Sequence, residues 1–296
     1  MAKARAIVKR RKAVRNIKKI TKTMQMIATA KFQKSLKRAV GTKPYTLKVR
    51  ELVRELAQSV GNVEHPLLRQ PSDEDRTNRV ALIVLTSNRG LAGAYNGSVL
   101  RAATQFLRQQ DAAGKTVDLY VAGKKGVSYF TFQKRPITQR LEAHDTPRFA
   151  DVEKIANEFI HKFISGQLDA VYVAYMNFHS AGVQKPDVMT LLPLAGVSED
   201  AKKTPAAKAE TIYDFSPSAK ELLDELLPLT VRTTLFQAYL DATTSEHVAR
   251  MISMKSATDN ADKMVKSLTM QYNRARQSQI TTELSEIMGG VEAMKN

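Results

Sequence analysis

The chain has 296 residues, of which 43% are hydrophobic and 25% are charged, proportions that are ordinary for a globular protein. It contains no cysteine, which excludes disulfides and thiolate metal sites, and no apolar run approaches the roughly 18 residues that a membrane span requires. The formal net charge of +17 is unevenly placed. The first 50 residues hold 17 lysines and arginines, and the first acid is Glu51, so this segment should find a negatively charged partner.

Residues 1–60 are predicted to form one long helix, because good helix formers dominate and no proline precedes Pro44. Pro44 itself is expected to kink or interrupt the helix. The apolar residues of the first half recur at spacings of four and three, as in the heptad seam of a coiled coil. The predicted seam comprises Ala13, Ile17, Ile20, Met24 and Ile27.

The middle of the chain alternates between strand and helix patterns. Residues 61–78 are a predicted linker that contains two prolines, and residues 79–195 are a predicted α/β domain. Its first strand, RVALIVLTS at 79–87, is a run of β-branched and apolar residues, which is typical of a buried parallel strand. Two more strands are predicted at TVDLYVAG and LDAVYVAYM, with helices between them. We therefore expect a small Rossmann-like domain.

The last part of the chain is again helical in pattern. A second linker is predicted at residues 196–211, followed by a C-terminal helix within residues 212–296. Pro228 should kink or divide this helix, and the Gly289–Gly290 pair should end it. Heptad-like spacing predicts a second seam of Val265, Leu268, Tyr272 and Ala275, continued by Ile280, Leu284, Ile287 and Val291.

Two seams of similar period, separated by a domain that can turn the chain around, predict an antiparallel coiled coil. Neither helix needs to be stable alone, since each buried seam residue contributes about 1.5–3 kcal/mol. The expected fold class is thus α/β, with a long antiparallel coiled coil of the N- and C-terminal helices beside a small Rossmann-like domain.

No motif in the sequence predicts catalysis. AAGKT at 112–116 resembles the end of a phosphate-binding loop, but Gln109 stands where the required glycine would be, and the segment precedes a strand. The glycines of SNRGLAGAYNG at 87–97 lack dinucleotide-binding spacing, which favours a structural turn. The five histidines are scattered, without metal-ligand spacing. We expect no cofactor, no metal and no catalytic residue, so a binding or mechanical role is favoured over an enzyme.

The basic N-terminal segment leaves three interpretations open. A targeting peptide is similar in composition, but this segment continues into the fold. A nucleic-acid arm usually carries aromatic residues that stack on bases, and here Phe32 and Tyr45 are the only two. A coiled-coil helix that faces an external acidic surface is the simplest interpretation. A nucleic-acid-binding protein and a nucleotide-dependent enzyme built on the α/β domain remain the alternatives.

Three segments together resemble one protein family. They are ITKTMQMIATAKFQKS near the start, TSNRGLAGAYN in the centre, and SEHVARMISMKSATDNADKMVKSLTMQYNRARQSQITTELSEIMGG near the end. The chain is similar over essentially its whole length to the γ subunits of F-type ATP synthases. The resemblance implies a non-catalytic rotor whose terminal helices turn inside a ring of α and β subunits. It also implies that the α/β domain lies at the foot, against the ε subunit and the membrane c-ring.

The resemblance further implies a location and a set of contacts. The complex would be peripheral, on the cytoplasmic side of the inner membrane of a bacterium, without direct membrane insertion and without nucleic acid. Tyr213 would lie at the foot near the c-ring. Contacts with the α/β hexamer would come from the terminal helices, through Met24, Arg250, Arg276, Gln277, Thr281 and Glu283.

Overall fold

The computed structural model describes residues 2–60, 65–68, 76–194 and 218–294. Within them the chain divides into two compact units, one of residues 31–249 and one of residues 1–30 together with 250–296. The helices are α1 (Ala2–Val60), α2 (Tyr95–Ala112), α3 (Lys124–Phe132), α4 (Phe149–Ile164) and α5 (Ala219–Ala293), and a 3-10 turn covers Pro66–Leu68. The strands are β1 (Arg79–Leu85), β2 (Thr116–Ala122), β3 (Gln139–Leu141), β4 (Ala170–Phe178) and β5 (Gln184–Leu192).

The unit of residues 31–249 is built on a five-stranded sheet in the order β3-β2-β1-β4-β5. The first four strands in this order are parallel, and β5 pairs antiparallel with β4. β1 lies in the centre, where residues Val80 to Leu85 are buried in succession. This burial explains why its sequence shows no polar alternation, since helices cover both faces of a parallel sheet.

Each face of the sheet has its own hydrophobic core. On one face, Leu82 and Val84 of β1 pack in a cluster with Val99 and Ala103 of α2 and with Phe130 of α3. The cluster on the other face joins β1 and β4 to α4, to the first part of α5 and to the second half of α1. The parts of both long helices that belong to this unit are therefore one layer of the α/β fold.

Neither proline divides its helix, so the expectation of an interruption at Pro44 or Pro228 was wrong. α1 runs through Pro44 and α5 runs through Pro228 without a break in helical structure. Pro44 is exposed on the helix surface. The carbonyl that loses its hydrogen-bond donor at such a position can be hydrated, which lowers the cost of the proline. The glycine pair also fails to end α5, which continues through Gly289 and Gly290 to Ala293.

Candidate functional site

The candidate site is the unit of residues 1–30 and 250–296, where the predicted contact residues with the α/β hexamer lie. Here α1 and α5 pair antiparallel, which confirms the predicted coiled coil. The ammonium of Lys18 forms an ion pair with the carboxylate of Asp262, and the hydroxyl of Thr258 lies 2.8 Å from that of Thr21. Further along, the guanidinium of Arg11 lies 4.9 Å from the centre of the Tyr272 ring.

The buried seam between these helices is short and contains both apolar contacts and polar pairs. Val14, Ala261 and Leu268 form its apolar centre, with Ile7 and Val265 packed against them. On the α5 side, Leu268 is buried and Val265, Tyr272 and Ala275 are partly buried, so this part of the predicted seam is confirmed. Beyond Val14, toward residue 30, the polar pairs of Lys18 with Asp262 and Thr21 with Thr258 replace hydrophobic ones. Hydrogen bonding to Lys18 lowers the pKa of the Asp262 carboxyl, so this carboxylate remains charged at neutral pH.

The predicted seam of α1 was wrong by one position. The residues that are buried or partly buried, such as Val14, Thr21 and Ala28, follow a heptad that lies one residue beyond the predicted one. The predicted members Ile17, Ile20 and Ile27 are instead 51%, 59% and 53% exposed, Ala13 is exposed, and Met24 is half-buried. The stripe of isoleucines and the stripe that contains Val14, Thr21 and Ala28 have the same heptad period. The prediction chose the isoleucines because they are more hydrophobic, but they do not face α5. A stripe of isoleucines exposed to water is typical of a surface that binds a partner.

The second half of the α5 seam was also wrong. Ile280, Leu284, Ile287 and Val291 are all about half-exposed or more. The numbers of facing residues in α1 and α5 add to about 280, so the start of α1 lies opposite residues near 278. The rest of α5 runs past this point, and its apolar stripe does not pack against α1.

The remaining predicted contact residues lie on the surfaces of α1 and α5. Arg250 is half-buried, and Arg276, Gln277, Thr281 and Glu283 are exposed. At Gln277, Thr281 and Glu283 the hydrogen bonds are internal to α5: the Thr281 hydroxyl donates to the Gln277 carbonyl at 3.0 Å, and the Gln279 amide donates to Glu283 at 2.8 Å. Arg276 forms no hydrogen bond or ion pair with any residue that the structure describes. Tyr213 lies outside the described residues.

Most of the basic residues in the first part of α1 have no acidic partner among the described residues. Lys18, Lys31 and Lys48 have acidic partners. Over the described part of the chain, Lys12, Arg15, Lys19 and Lys22 form no ion pair. The four cations and the exposed isoleucines lie on two neighbouring flanks of α1 and together cover most of the helix surface that α5 leaves free. We call these residues the outer α1 face (Lys12, Arg15, Ile17, Lys19, Ile20, Lys22 and Ile27). Sequence reasoning found these residues but assigned the isoleucines to the helix pair.

Within the larger unit, the loop of residues 142–148 fastens the α/β fold to α1. Lys31 forms an ion pair with Asp145, and Arg38 donates a hydrogen bond to the carbonyl of Pro147 at 2.6 Å. From the other side, the Asn88 amide donates to the carbonyl of Ala143 at 2.6 Å. Hydrogen bonding to Lys31 lowers the pKa of the Asp145 carboxyl, which keeps the ion pair charged. No pattern in the sequence indicated this loop.

Polar contacts, of which those of Gln237 are buried and that of Arg50 is partly buried, also hold α1 against α5 in this unit. The Gln237 amide donates to the Ala39 carbonyl at 3.3 Å and to Asp241 at 2.9 Å, and Arg50 donates to the Thr234 hydroxyl at 3.2 Å. Burial raises the pKa of Asp241 to about 6. Because buried polar groups must keep their partners, these contacts fix the register of the two helices more strictly than apolar packing alone.

The pairing of Thr21 with Thr258 gives a direct test of the helix register. The double variant Thr21→Cys with Thr258→Cys should form a disulfide readily on mild oxidation, because the two hydroxyl oxygens are in contact. The matched control, Thr21→Cys with Ile287→Cys, should stay reduced within one chain. Since the protein has no native cysteine, intact mass and non-reducing electrophoresis report the bond without background. Cross-linking of the control pair, with none between positions 21 and 258, would refute the antiparallel register.

No helix among the described residues is long and apolar enough to cross a membrane. The same residues contain no group of three or more histidines and acids placed to hold a metal ion.

Comparison with known proteins places this arrangement in a family. A family model described as ATP synthase matches residues 3–294. An ATP synthase gamma chain of Rhodopirellula baltica is 43% identical over the full length of both chains, and one of Leptospira biflexa is 37% identical over 99% of this chain and all of its own. A chain in the Euglena gracilis mitochondrial ATP synthase structure has the same fold, with a TM-score of 0.66, 16% identity and coverage of 99% of this chain and 95% of its own. A chain of the central stalk and c-ring of the Tetrahymena thermophila mitochondrial ATP synthase covers 80% of this chain and 99% of its own, at a TM-score of 0.59 and 21% identity. On the strength of the full-length sequence matches, the chain belongs to the ATP synthase gamma chain family.

Proposed function

We infer that this chain, as the rotor subunit of an ATP synthase, couples ion translocation through a membrane c-ring to ATP synthesis and hydrolysis on the β subunits. The observation that carries the proposal is the outer α1 face. Its basic residues have no acidic partner among the described residues, and its isoleucines are exposed although they have the spacing of a packed seam. Such a surface fits an acidic partner with apolar side chains, and we assign that role to the inner surface of the α/β hexamer.

The mechanism depends on asymmetry. A pair of helices has one basic face, whereas a ring of three β subunits presents the same groups three times. At any rotor angle the three β subunits therefore meet different surfaces, and their affinities for nucleotide differ. Rotation exchanges these affinities in sequence, which amounts to a coupling free energy between rotor angle and site occupancy. In this proposal the chain itself is not catalytic.

Torque requires that the helices turn together with the domain to which they are anchored. In the unit of residues 31–249, the loop of residues 142–148 and the polar contacts of Gln237 and Arg50 join α1, α5 and the α/β fold. We assign this unit to the foot of the rotor, in contact with the ε subunit and the c-ring, with Tyr213 near the c-ring. The complex would then be peripheral to the inner membrane, on its cytoplasmic side.

The proposal is tested by neutralising part of the outer α1 face. The double variant Lys19→Gln with Lys22→Gln should fold with a stability within about 0.5 kcal/mol of the wild type, because both side chains are exposed. It should assemble more weakly with purified α and β subunits, and its assembly should depend less steeply on salt concentration. Fluorescence anisotropy of the labelled full-length chain, titrated with the subunits at several salt concentrations, measures both quantities.

The control is Arg101→Gln with Arg108→Gln on α2, which removes the same charge from exposed positions elsewhere. This variant should assemble as the wild type does. Duplex DNA serves as the competing partner, since the alternative function is nucleic-acid binding. Unchanged assembly of the Lys19 and Lys22 variant, or tight DNA binding that falls steeply with salt and is lost in that variant, would contradict the proposal.

A further inference from the structure

A cavity of about 340 Å³ lies within the unit of residues 31–249. It is bounded by β3, by the segment that follows it, by the first turns of α4 and by one side chain of α5. Since one water occupies about 30 Å³ of liquid, this volume is too large for a single bridging water and falls in the range of small-ligand pockets.

The charges around this cavity favour an anion. Arg140, Arg148 and Lys154 line it, and none of them has an acidic partner among the residues that the structure describes. Two of the three carboxylates that also line it are engaged: Glu142 lies 3.1 Å from the His144 imidazole, and Glu158 lies 2.6 Å from the Lys162 ammonium.

The third carboxylate, Asp151, sits in the first turn of α4. There the backbone N–H groups have no intrahelical acceptors, and the helix dipole attracts negative charge. The α4 cap residue, Arg148, provides no side-chain hydrogen bond to these N–H groups. With Glu158 paired to Lys162, the three cations Arg140, Arg148 and Lys154 outnumber the carboxylates of Glu142 and Asp151 by one, so the groups around the cavity carry an excess of positive charge.

An independent observation points to a ligand in the same place. Tyr239 of α5 lines the cavity and is only 6% exposed, and its hydroxyl has no hydrogen-bond partner among the described residues. Burial raises the pKa of this hydroxyl, so it stays protonated and acts as a donor. A buried donor without an acceptor destabilises the fold, and an acceptor bound in the cavity would remove this penalty.

We propose that this cavity binds a small molecule through an oxyanion, either a phosphate or a carboxylate group. Tyr239 would donate a hydrogen bond from the interior, and the guanidinium groups of Arg140 and Arg148 would pair with the anion near the surface. Because α4 and α5 both contribute to the wall, a bound ligand would also stabilise the packing of these helices by mass action.

The test uses the full-length chain, with inorganic phosphate and succinate as probes in buffers matched for ionic strength with sodium chloride. Calorimetric titration and thermal unfolding should show saturable binding and a saturable rise in Tm for at least one probe. Arg140→Gln with Arg148→Gln should weaken binding about tenfold or more. Tyr239→Phe should unfold at no lower temperature than the wild type without ligand, because it removes an unsatisfied donor, yet it should lose most of the ligand-dependent rise.

The control is again Arg101→Gln with Arg108→Gln, which should bind as the wild type does. Saturable binding of phosphate alone assigns the site to phosphate compounds, and binding of succinate alone assigns it to carboxylates. A rise in Tm that does not saturate and is shared by all variants is the general effect of excluded salts, and it would overturn the proposal. Saturable binding that is unaffected by both the arginine and the tyrosine changes would overturn it as well.

Discussion

The double variant Arg276→Ala with Gln277→Ala should fold and assemble normally, yet slow multi-site ATP turnover by about tenfold or more. Both side chains are exposed on α5, and Arg276 has no partner among the described residues. If the two residues were only solvated, their loss would change stability by no more than about 0.5 kcal/mol and would not affect turnover. If they form polar contacts with the hexamer as the rotor advances, each charged hydrogen bond contributes about 1.5–3 kcal/mol. That free energy corresponds to roughly a tenfold to hundredfold change in rate.

The measurement compares three activities in reconstituted complexes: multi-site hydrolysis, single-site hydrolysis and ATP-driven ion pumping. Single-site hydrolysis should be nearly unchanged, because in this proposal the active sites lie in other subunits. Arg108→Ala with Gln109→Ala on α2 is the matched control, since it removes the same two residue types from exposed helical positions. Wild-type turnover and pumping in the Arg276 and Gln277 variant would remove this pair from the mechanism.

A second large effect is expected at the turn between β2 and α3. Gly123 has φ of 92°, in a region that side-chain-bearing residues rarely adopt, and a Cβ there would lie 2.2 Å from the carbonyl oxygen of Thr86. That oxygen belongs to the backbone at the end of β1 and cannot move aside without disturbing the sheet. Gly123→Ala should therefore lower the free energy of unfolding by about 3 kcal/mol or more.

Gly97→Ala is the control, because the same substitution is expected to stabilise the protein at this position. Gly97 lies inside α2, and a Cβ at this position meets no atom within 4 Å. Alanine favours the helix over glycine by about 0.5–1 kcal/mol, so this variant should be slightly more stable than the wild type. Thermal unfolding followed by circular dichroism compares the two. A Tm for Gly123→Ala equal to that of the wild type would show that the turn relaxes easily.

Much of the α/β fold could be predicted from the sequence, because its central strands are buried on both faces. β1 contains a continuous apolar run, and β2 and β4 contain the apolar runs LYVA and AVYVAYM; the structure has strands at all three. The edge strands were missed. β3 has only three residues, and β5 contains Pro186 and several polar residues, as befits strands at the margin of a sheet. Because edge strands are less buried, their sequences lack the continuous apolar run that identifies a central strand.

The helix pair was predicted correctly in topology but not in detail. The heptad period identified the two helices, because this period is a property of each helix alone. Their antiparallel pairing was predicted because the domain between them can turn the chain around. The choice between two stripes one residue apart depends on which stripe the partner helix covers. In α1 the covered stripe contains Thr21 and Lys18, whereas the exposed one contains Ile17 and Ile20. Hydrophobicity therefore did not identify the face that α5 covers, because the more apolar stripe of α1 is the exposed one.

The apolar stripe at the end of α5 should affect how long the chain stays soluble and intact before it assembles with other subunits. Ile287 and Met288 are 64% and 66% exposed, and Ile280 and Leu284 are more than half exposed. A contiguous stripe of this kind on a free chain invites self-association. We expect newly made chains to aggregate or to be degraded unless subunits that cover the stripe are already present. If the α/β hexamer covers the stripe, as proposed, the supply of this chain in the cell should be limited by the supply of the α and β subunits, and any surplus should be short-lived.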